Sequence, residues 1–280
     1  MGRFQTFLFI PALVVALFFS ACVVADDNMP NASIGRELIQ NGSFEEGLQI
    51  LEQYAAINTT DAEVWYDIGY ALNSLGRFNE ALTPLKHATD LDTNHSSAWT
   101  STGWAYNELG EYELAFNALE NATSADPTNK YALSTRGYTL IRLGRFDEAV
   151  SALKEVVAQD NQFSDAWNNL GWAYGEKGQY EDAVSALMTA TELNKKNGYA
   201  WNNLGRILYL LGKNDEALSA LHNATDINPE FDQGWYNLGN VLYASGAYNE
   251  SWNAYRIAVT LNPNNTIAKE NIEILERELF

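Results

Sequence analysis

The chain has 280 residues, 46% apolar and 12% aromatic, with a formal net charge of -19 from 17 basic and 36 acidic side chains. So much apolar surface excludes a disordered chain. The sign of the charge argues against nucleic acid or anionic membrane as a partner, and is compatible with cations or with salt that screens self-repulsion.

The first 25 residues differ from the rest. Arg3 gives a positive start, Phe7 to Phe19 form an apolar run broken by Pro11, and Val23-Val24-Ala25 place short side chains before Asp26. This pattern predicts a signal peptide over 1-25 and a secreted or cell-surface extracellular protein. Two alternatives stand beside it. One is a retained amino-terminal anchor, although the run is shorter than the roughly 20 residues of a comfortable span. The other is a lipid on Cys22, although Phe18 and Phe19 suit a lipoprotein box poorly. Cys22 is the sole cysteine, so a chain cleaved after Ala25 has neither disulfides nor thiolate metal ligands. No stable membrane span is expected in that mature chain.

From there to the end, glycine recurs every 34 residues at Gly35, Gly69, Gly103, Gly137, Gly171, Gly205 and Gly239. A second series at Gly42, Gly76, Gly110, Gly144, Gly178, Gly212 and Gly246 has the same spacing. Tryptophan holds a third phase at Trp65, Trp99, Trp167, Trp201 and Trp235, with Asn31 and Leu133 in the other two slots. Alanine holds a fourth at Ala81, Ala115, Ala149, Ala183 and Ala217, replaced at the ends by Gly47 and Ser251. In Trp167-Asn-Asn-Leu170-Gly171-Trp-Ala-Tyr174 the apolar and small residues fall at i, i+3, i+4 and i+7, one face of a helix. Gly171 on that face admits a neighbouring helix closely, and Gly178 marks a turn. A second amphipathic helix follows from Tyr180. Each unit is a helical hairpin too short to bury its own apolar face, so stacking must supply the partner and the units form a solenoid.

The pattern resembles the tetratricopeptide repeat family. Trp99, Gly103, Tyr106, Tyr112, Ala115, Leu119, Ala122 and Pro127 follow its motif, as do Trp201, Leu204, Gly205, Ala217, Leu221, Ala224 and Pro229. The resemblance implies an all-α fold, a right-handed superhelix of antiparallel helix hairpins over 26-280. Its units are 28-61, 62-95, 96-129, 130-163, 164-197, 198-231 and 232-265, closed by a helix over 266-280 in which Ile272, Leu275 and Leu279 cover the last hairpin. Unit one is irregular, with Asn31, Gly47 and Tyr54 at family positions. It reads either as a degenerate end or as an open face for another subunit.

The resemblance also places first-helix residues on a concave face: Tyr66, Tyr70, Asn73, Trp104, Asn107, Tyr131, Tyr138, Arg142, Asn168, Trp172, Asn202, Arg206, Tyr209, Tyr236, Asn240 and Tyr243. Aromatic rings alternating with asparagine suit peptide or glycan recognition, and packing within the array is the competing reading. The carboxylate clamp of some relatives needs several basic residues beside such asparagines. Here Arg142 and Arg206 are isolated, and Arg36, Arg77 and Arg145 are scattered.

Eight sequons, at Asn31, Asn41, Asn58, Asn94, Asn121, Asn223, Asn249 and Asn264, agree with export and predict covalent N-glycans. Asn31 is the awkward one, since its slot normally points into the hairpin. The three histidines, His87, His95 and His222, have no metal-ligand spacing, and neither a phosphate loop, a nucleophile with a base, nor a calcium loop is present. The chain therefore reads as a non-enzyme without cofactor or metal. Two functions fit: an extracellular scaffold for protein-protein contacts, or a structural subunit stacking head to tail on itself into a glycosylated filament or sheath. Acidity, sequons and the absence of mature cysteines would suit an archaeal exported protein without excluding a bacterial one.

Overall fold

The computed structural model describes the backbone of residues 31-279 and the side chains of 31-277. The expected signal peptide, Cys22, the first residues of unit one and the Leu279 side chain lie outside these. Seven hairpins follow one another. They are α1 (Ala32–Gln40) with α2 (Phe44–Ala55), α3 (Ala62–Ser74) with α4 (Phe78–Leu91), and α5 (Ser96–Glu108) with α6 (Tyr112–Ala125). Next come α7 (Lys130–Arg142) with α8 (Phe146–Gln159), α9 (Ser164–Glu176) with α10 (Tyr180–Leu193), α11 (Gly198–Leu210) with α12 (Asn214–Ile227), and α13 (Asp232–Ala244) with α14 (Tyr248–Leu261). The helix α15 (Thr266–Leu279) closes the array.

The two glycine series do different work. A Cβ built on Gly171 falls 2.5 Å from Leu187 Cγ, and one on Gly205 falls 2.5 Å from Leu221 Cγ, so only hydrogen fits between first and second helix. The turn glycines meet nothing within 4 Å, and their φ is positive, 75° at Gly178, a left-handed backbone that side chains disfavour. Leu51, Leu85, Leu119, Leu153, Leu187 and Leu221 are fully buried at one position of successive units, beside the fully buried alanines Ala81, Ala115, Ala149, Ala183 and Ala217.

The tryptophans tie each loop to its hairpin as well as packing on it. Nε1–H donates to the carbonyl six residues earlier in every case: Trp65 to Thr59 (2.9 Å), Trp99 to Thr93 (3.0 Å), Trp167 to Asn161 (2.9 Å), Trp201 to Lys195 (3.0 Å) and Trp235 to Pro229 (2.8 Å). The loops are also pinned from within. Asp92, Asp126, Asp160, Asn194 and Asn262 each accept the amide two residues on, turning the chain out of the second helix.

Each first helix packs on its own second helix and also on the next first helix, whereas successive second helices do not pack on one another. That asymmetry sets the first helices on the inner side of the curve. Nearest-neighbour stacking of this kind divides the core into patches that run along the chain instead of meeting at one centre.

The ends depart from the repeat. Asn31 does not point into the hairpin as its slot predicts. It is exposed and caps α1, its Oδ1 accepting from Ser33 N at 3.0 Å and Ser33 Oγ at 2.8 Å, because α1 starts a turn later than the other first helices. At the far end Ser251 replaces alanine and stays fully buried by donating its hydroxyl to the Gly239 carbonyl at 2.8 Å. Leu275 is fully buried and Ile272 packs beside it, as expected of a closing helix, while Lys269, Glu270, Glu273, Glu276 and Arg277 point outward.

Candidate functional site: a groove of rings and amides

The inner surface is not one strip. Nine of the expected residues, Trp104, Asn107, Tyr131, Tyr138, Arg142, Asn168, Trp172, Asn202 and Arg206, line a central groove of about 900 Å³ built from α5, α7, α9, α11 and α13. Tyr66 and Tyr70 line a separate cleft of about 520 Å³ beside Arg36 and Asp67. Tyr209, Asn240 and Tyr243 line a third of about 210 Å³ near α15. Tyr236 lines none of these and packs on Tyr255 with ring centroids 6.0 Å apart. The division has local causes. Towards the start, the Tyr70 and Trp104 rings approach to 6.4 Å, with Phe78 6.2 Å from Trp104. Towards the end, Tyr255 stands where six earlier units have leucine, and its hydroxyl donates to Asn240 Oδ1 at 2.7 Å.

The asparagines belong partly to the array itself. A ladder with a step of 35 residues joins successive first helices: Asn169 to Ser134 Oγ (3.4 Å), Asn203 to Asn168 Oδ1 (3.0 Å) and Asn237 to Asn202 Oδ1 (2.8 Å). Asn202 is buried, as are Asn73, which donates to Ser101 O at 2.8 Å, and Asn107, which donates to Thr139 Oγ1 at 2.9 Å. These amides fix the spacing and orientation of the first helices, since a buried amide left unbonded is costly. Asn168 and Asn203 are half-buried within the groove.

The rings are more open. Tyr138 and Trp172 lie 5.6 Å apart on the floor, and burial pushes the Tyr138 phenol above its ordinary pKa. Tyr131 is 61% and Tyr199 56% exposed, and each meets a phenylalanine at close to a right angle: Tyr131 with Phe163 (5.4 Å) and Tyr199 with Phe231 (4.8 Å). Tyr199, Phe163 and Phe231 line the groove but lie outside the set of expected concave residues. A signal was present at the two phenylalanines. They stand at helix N-caps and make no capping bond, where Asp61, Asn129 and Asn197 cap with their side chains.

Charge in the groove balances. Glu108 and Asp165 face Arg142 and Arg206, and Arg206 Nη2 donates to Glu176 Oε1 at 2.7 Å, an oxygen that also accepts from Trp172 Nε1 at 3.1 Å. Arg142 lies over the Tyr112 ring at 4.4 Å and donates to the Tyr138 hydroxyl at 2.8 Å. Two of the scattered arginines are paired locally, Arg77 with Glu80 and Arg145 with Glu148. In the first cleft Arg36 holds Asp67 at 2.6 Å, yet burial dominates and raises the Asp67 carboxyl. Among the described residues no group of three or more His, Cys, Asp or Glu side chains could hold a metal ion.

Of the sequon asparagines, Asn31, Asn41, Asn94, Asn121, Asn223, Asn249 and Asn264 are exposed, and Asn58 is half-buried, donating to Tyr54 O at 3.4 Å. Asn121, Asn223 and Asn249 lie within α6, α12 and α14. Five sequon hydroxyls donate bonds: Ser33 to Asn31 Oδ1, Ser96 to Ala122 O, Thr123 to Leu119 O, Thr225 to Leu221 O and Ser251 to Gly239 O.

The family profile described as "Tetratricopeptide repeat" matches residues 38-102, 106-171 and 140-207, a second, described as "TPR repeat", matches 205-246, and a third, again "Tetratricopeptide repeat", matches 232-265. Among solved structures, the APC/C hetero-tetramer Cut9-Hcn1 aligns with a TM-score of 0.78 at 18% identity, covering 89% of this chain and 49% of that one, so the chain spans about half its length. A tetratricopeptide repeat protein from Parabacteroides merdae aligns with a TM-score of 0.69 at 16% identity, covering 87% and 96%. A thermophilic TPR protein of Thermus thermophilus aligns with a TM-score of 0.58 at 22% identity, covering 64% and 98%. At such identities these neighbours show the fold alone. No curated protein matches. With profile matches along most of the array and the hairpin stack they describe, the chain belongs to the tetratricopeptide repeat family.

Proposed function

We infer that this protein is a non-catalytic scaffold that holds another protein through the central groove between Trp104 and Asn237. The observation that carries the reading is the combination of open rings, Tyr131 and Tyr199 above all, with a backbone made rigid by the amide ladder. Rigid aromatic side chains lose little entropy on contact and bury large areas, which is how interface anchors work. The lining carries two carboxylates, Glu108 and Asp165, against two guanidiniums, Arg142 and Arg206. The exported setting is part of this proposal and rests on the sequence over 1-25 and on the exposed sequons. Mass spectrometry of the protein from its source should find a chain beginning at Asp26 with added hexose mass on one or more of the exposed asparagines; an intact, unmodified chain removes the setting and leaves the groove.

Selection from a displayed random-peptide library tests the groove. Peptides recovered on the wild-type protein should be lost on Tyr131→Ala/Tyr199→Ala. Recovery of peptides indifferent to that change would remove the groove from the account. The outward charges of α15 make end-to-end stacking the weaker reading. A monodisperse monomer by light scattering is expected, whereas regular rods would favour the filament.

A further inference from the structure

The central groove contains seven aromatic side chains, seven asparagines and no aliphatic one. Its rim alternates. The ring pairs Tyr131–Phe163 and Tyr199–Phe231 stand two repeats apart, and the equivalent positions between and beside them are polar: Ser97 with Asn129, Asp165 with Asn197, Gln233 with Asn265. A phenylalanine is a poorer helix cap than the residues that hold that place in other units, so both pairs depart from the local rule at the same phase of the rim.

An amphipathic helix as occupant would seek aliphatic or methionine-lined depressions, which are missing. Flat rings offer their faces to other flat, rigid rings. The lining holds two carboxylates and two guanidiniums, in a chain of net charge -19, and so selects an uncharged ligand. Packed helices lie about 8–10 Å apart, which places the two rim pairs roughly 16–20 Å from one another. A polyproline II segment repeats its facing every three residues and rises about 3.1 Å per residue, so residues i and i+6 point the same way roughly 19 Å apart. Its backbone has no internal hydrogen bonds, leaving carbonyls for the donors between the pairs, among them the half-buried Asn168 and Asn203.

We propose that the groove binds an uncharged, proline-rich segment of a partner protein in the polyproline II conformation, seating rings at i and i+6 on Tyr131–Phe163 and Tyr199–Phe231. The proposal rests on the groove being a protein-contact surface.

The test titrates the full chain with a capped proline decamer, a capped proline tetramer, a capped Gly-Ser decamer and cellohexaose, by calorimetry. The decamer should saturate, the tetramer, which reaches one rim pair only, should bind at least tenfold more weakly, and the other two should not bind. Tyr131→Ala/Tyr199→Ala should weaken the decamer tenfold or more with an unchanged melting temperature. Tyr131→Phe/Tyr199→Phe, which keeps the rings, should stay within about threefold. No saturable decamer binding, equal decamer and tetramer affinity, or cellohexaose binding in its place overturns the proposal. Because the decamer-to-tetramer ratio is read on the unaltered chain, the test survives a variant that folds poorly. If the decamer fails while displayed peptides of other composition still depend on the groove, only the proline assignment falls; if no peptide depends on it, the protein-contact reading falls too.

Discussion

Two glycines in one unit give opposite accounts of why glycine recurs. Gly171 is a matter of space: a methyl there strikes Leu187, and overpacking a core position costs about 1–3 kcal/mol. Gly178 is a matter of backbone: nothing is near it, but its φ of 75° costs an alanine about 1–2 kcal/mol. Urea melts should therefore show both Gly171→Ala and Gly178→Ala destabilised, and a Leu187→Ala background should reduce the penalty of the first, leaving the Ala183 carbonyl contact at 3.1 Å, and leave that of the second unchanged. Equal penalties in both backgrounds would contradict the assignment. Spacing alone made both series visible, since a strict period of 34 has no local explanation. The tryptophan phase was equally visible, but its indole bond to the loop carbonyl was not, because that partner is set by the loop's course and not by residue type. Removing the bond with Trp201→Phe should cost about 1 kcal/mol.

At the scale of elements, the hairpins were legible because each carries its own helix stripe and a turn glycine, and α15 because Ile272 and Leu275 share a face. The late start of α1 was not legible: residue identity at 31 gives a slot in the repeat, while the structure turns Asn31 into a cap. Closure by α15 has a titratable witness. Burial raises the Tyr255 phenol to about 12, and likewise Tyr66, next to Asp67, to about 12. A folded pKa above the unfolded value of about 10 means that the unfolded chain loses its proton first, so stability is complete below pH 10 and declines as pH rises towards 12. Ultraviolet titration should show Tyr66, Tyr138 and Tyr255 as late phenols among the tyrosines, and deletion of 266-280 should return Tyr255 towards the ordinary range. A Tyr255 titration unmoved by that deletion would contradict the cap.

At the scale of the molecule, the excess of negative charge is spread along a solenoid whose core touches only neighbours, so self-repulsion has no compact centre to oppose it. Raising sodium chloride from about 0.01 M to 0.15 M shortens the screening length from about 30 Å to 8 Å, and the melting temperature should rise over that interval; a flat response would show the charges already locally neutralised. The groove is where sequence reading reached least far. Tyr138 and Trp172 share a repeat phase and were found together, but Tyr131 meets Phe163 across 32 residues and between two phases, a juxtaposition that only the stacked loops create. The most direct measurement of the central claim is photocrosslinking: a library-selected peptide bearing a photoreactive residue, bound to the full chain and mapped by mass spectrometry. The account predicts crosslinks to first-helix residues between Trp104 and Asn237, and crosslinks confined to the outer faces of the second helices would contradict it.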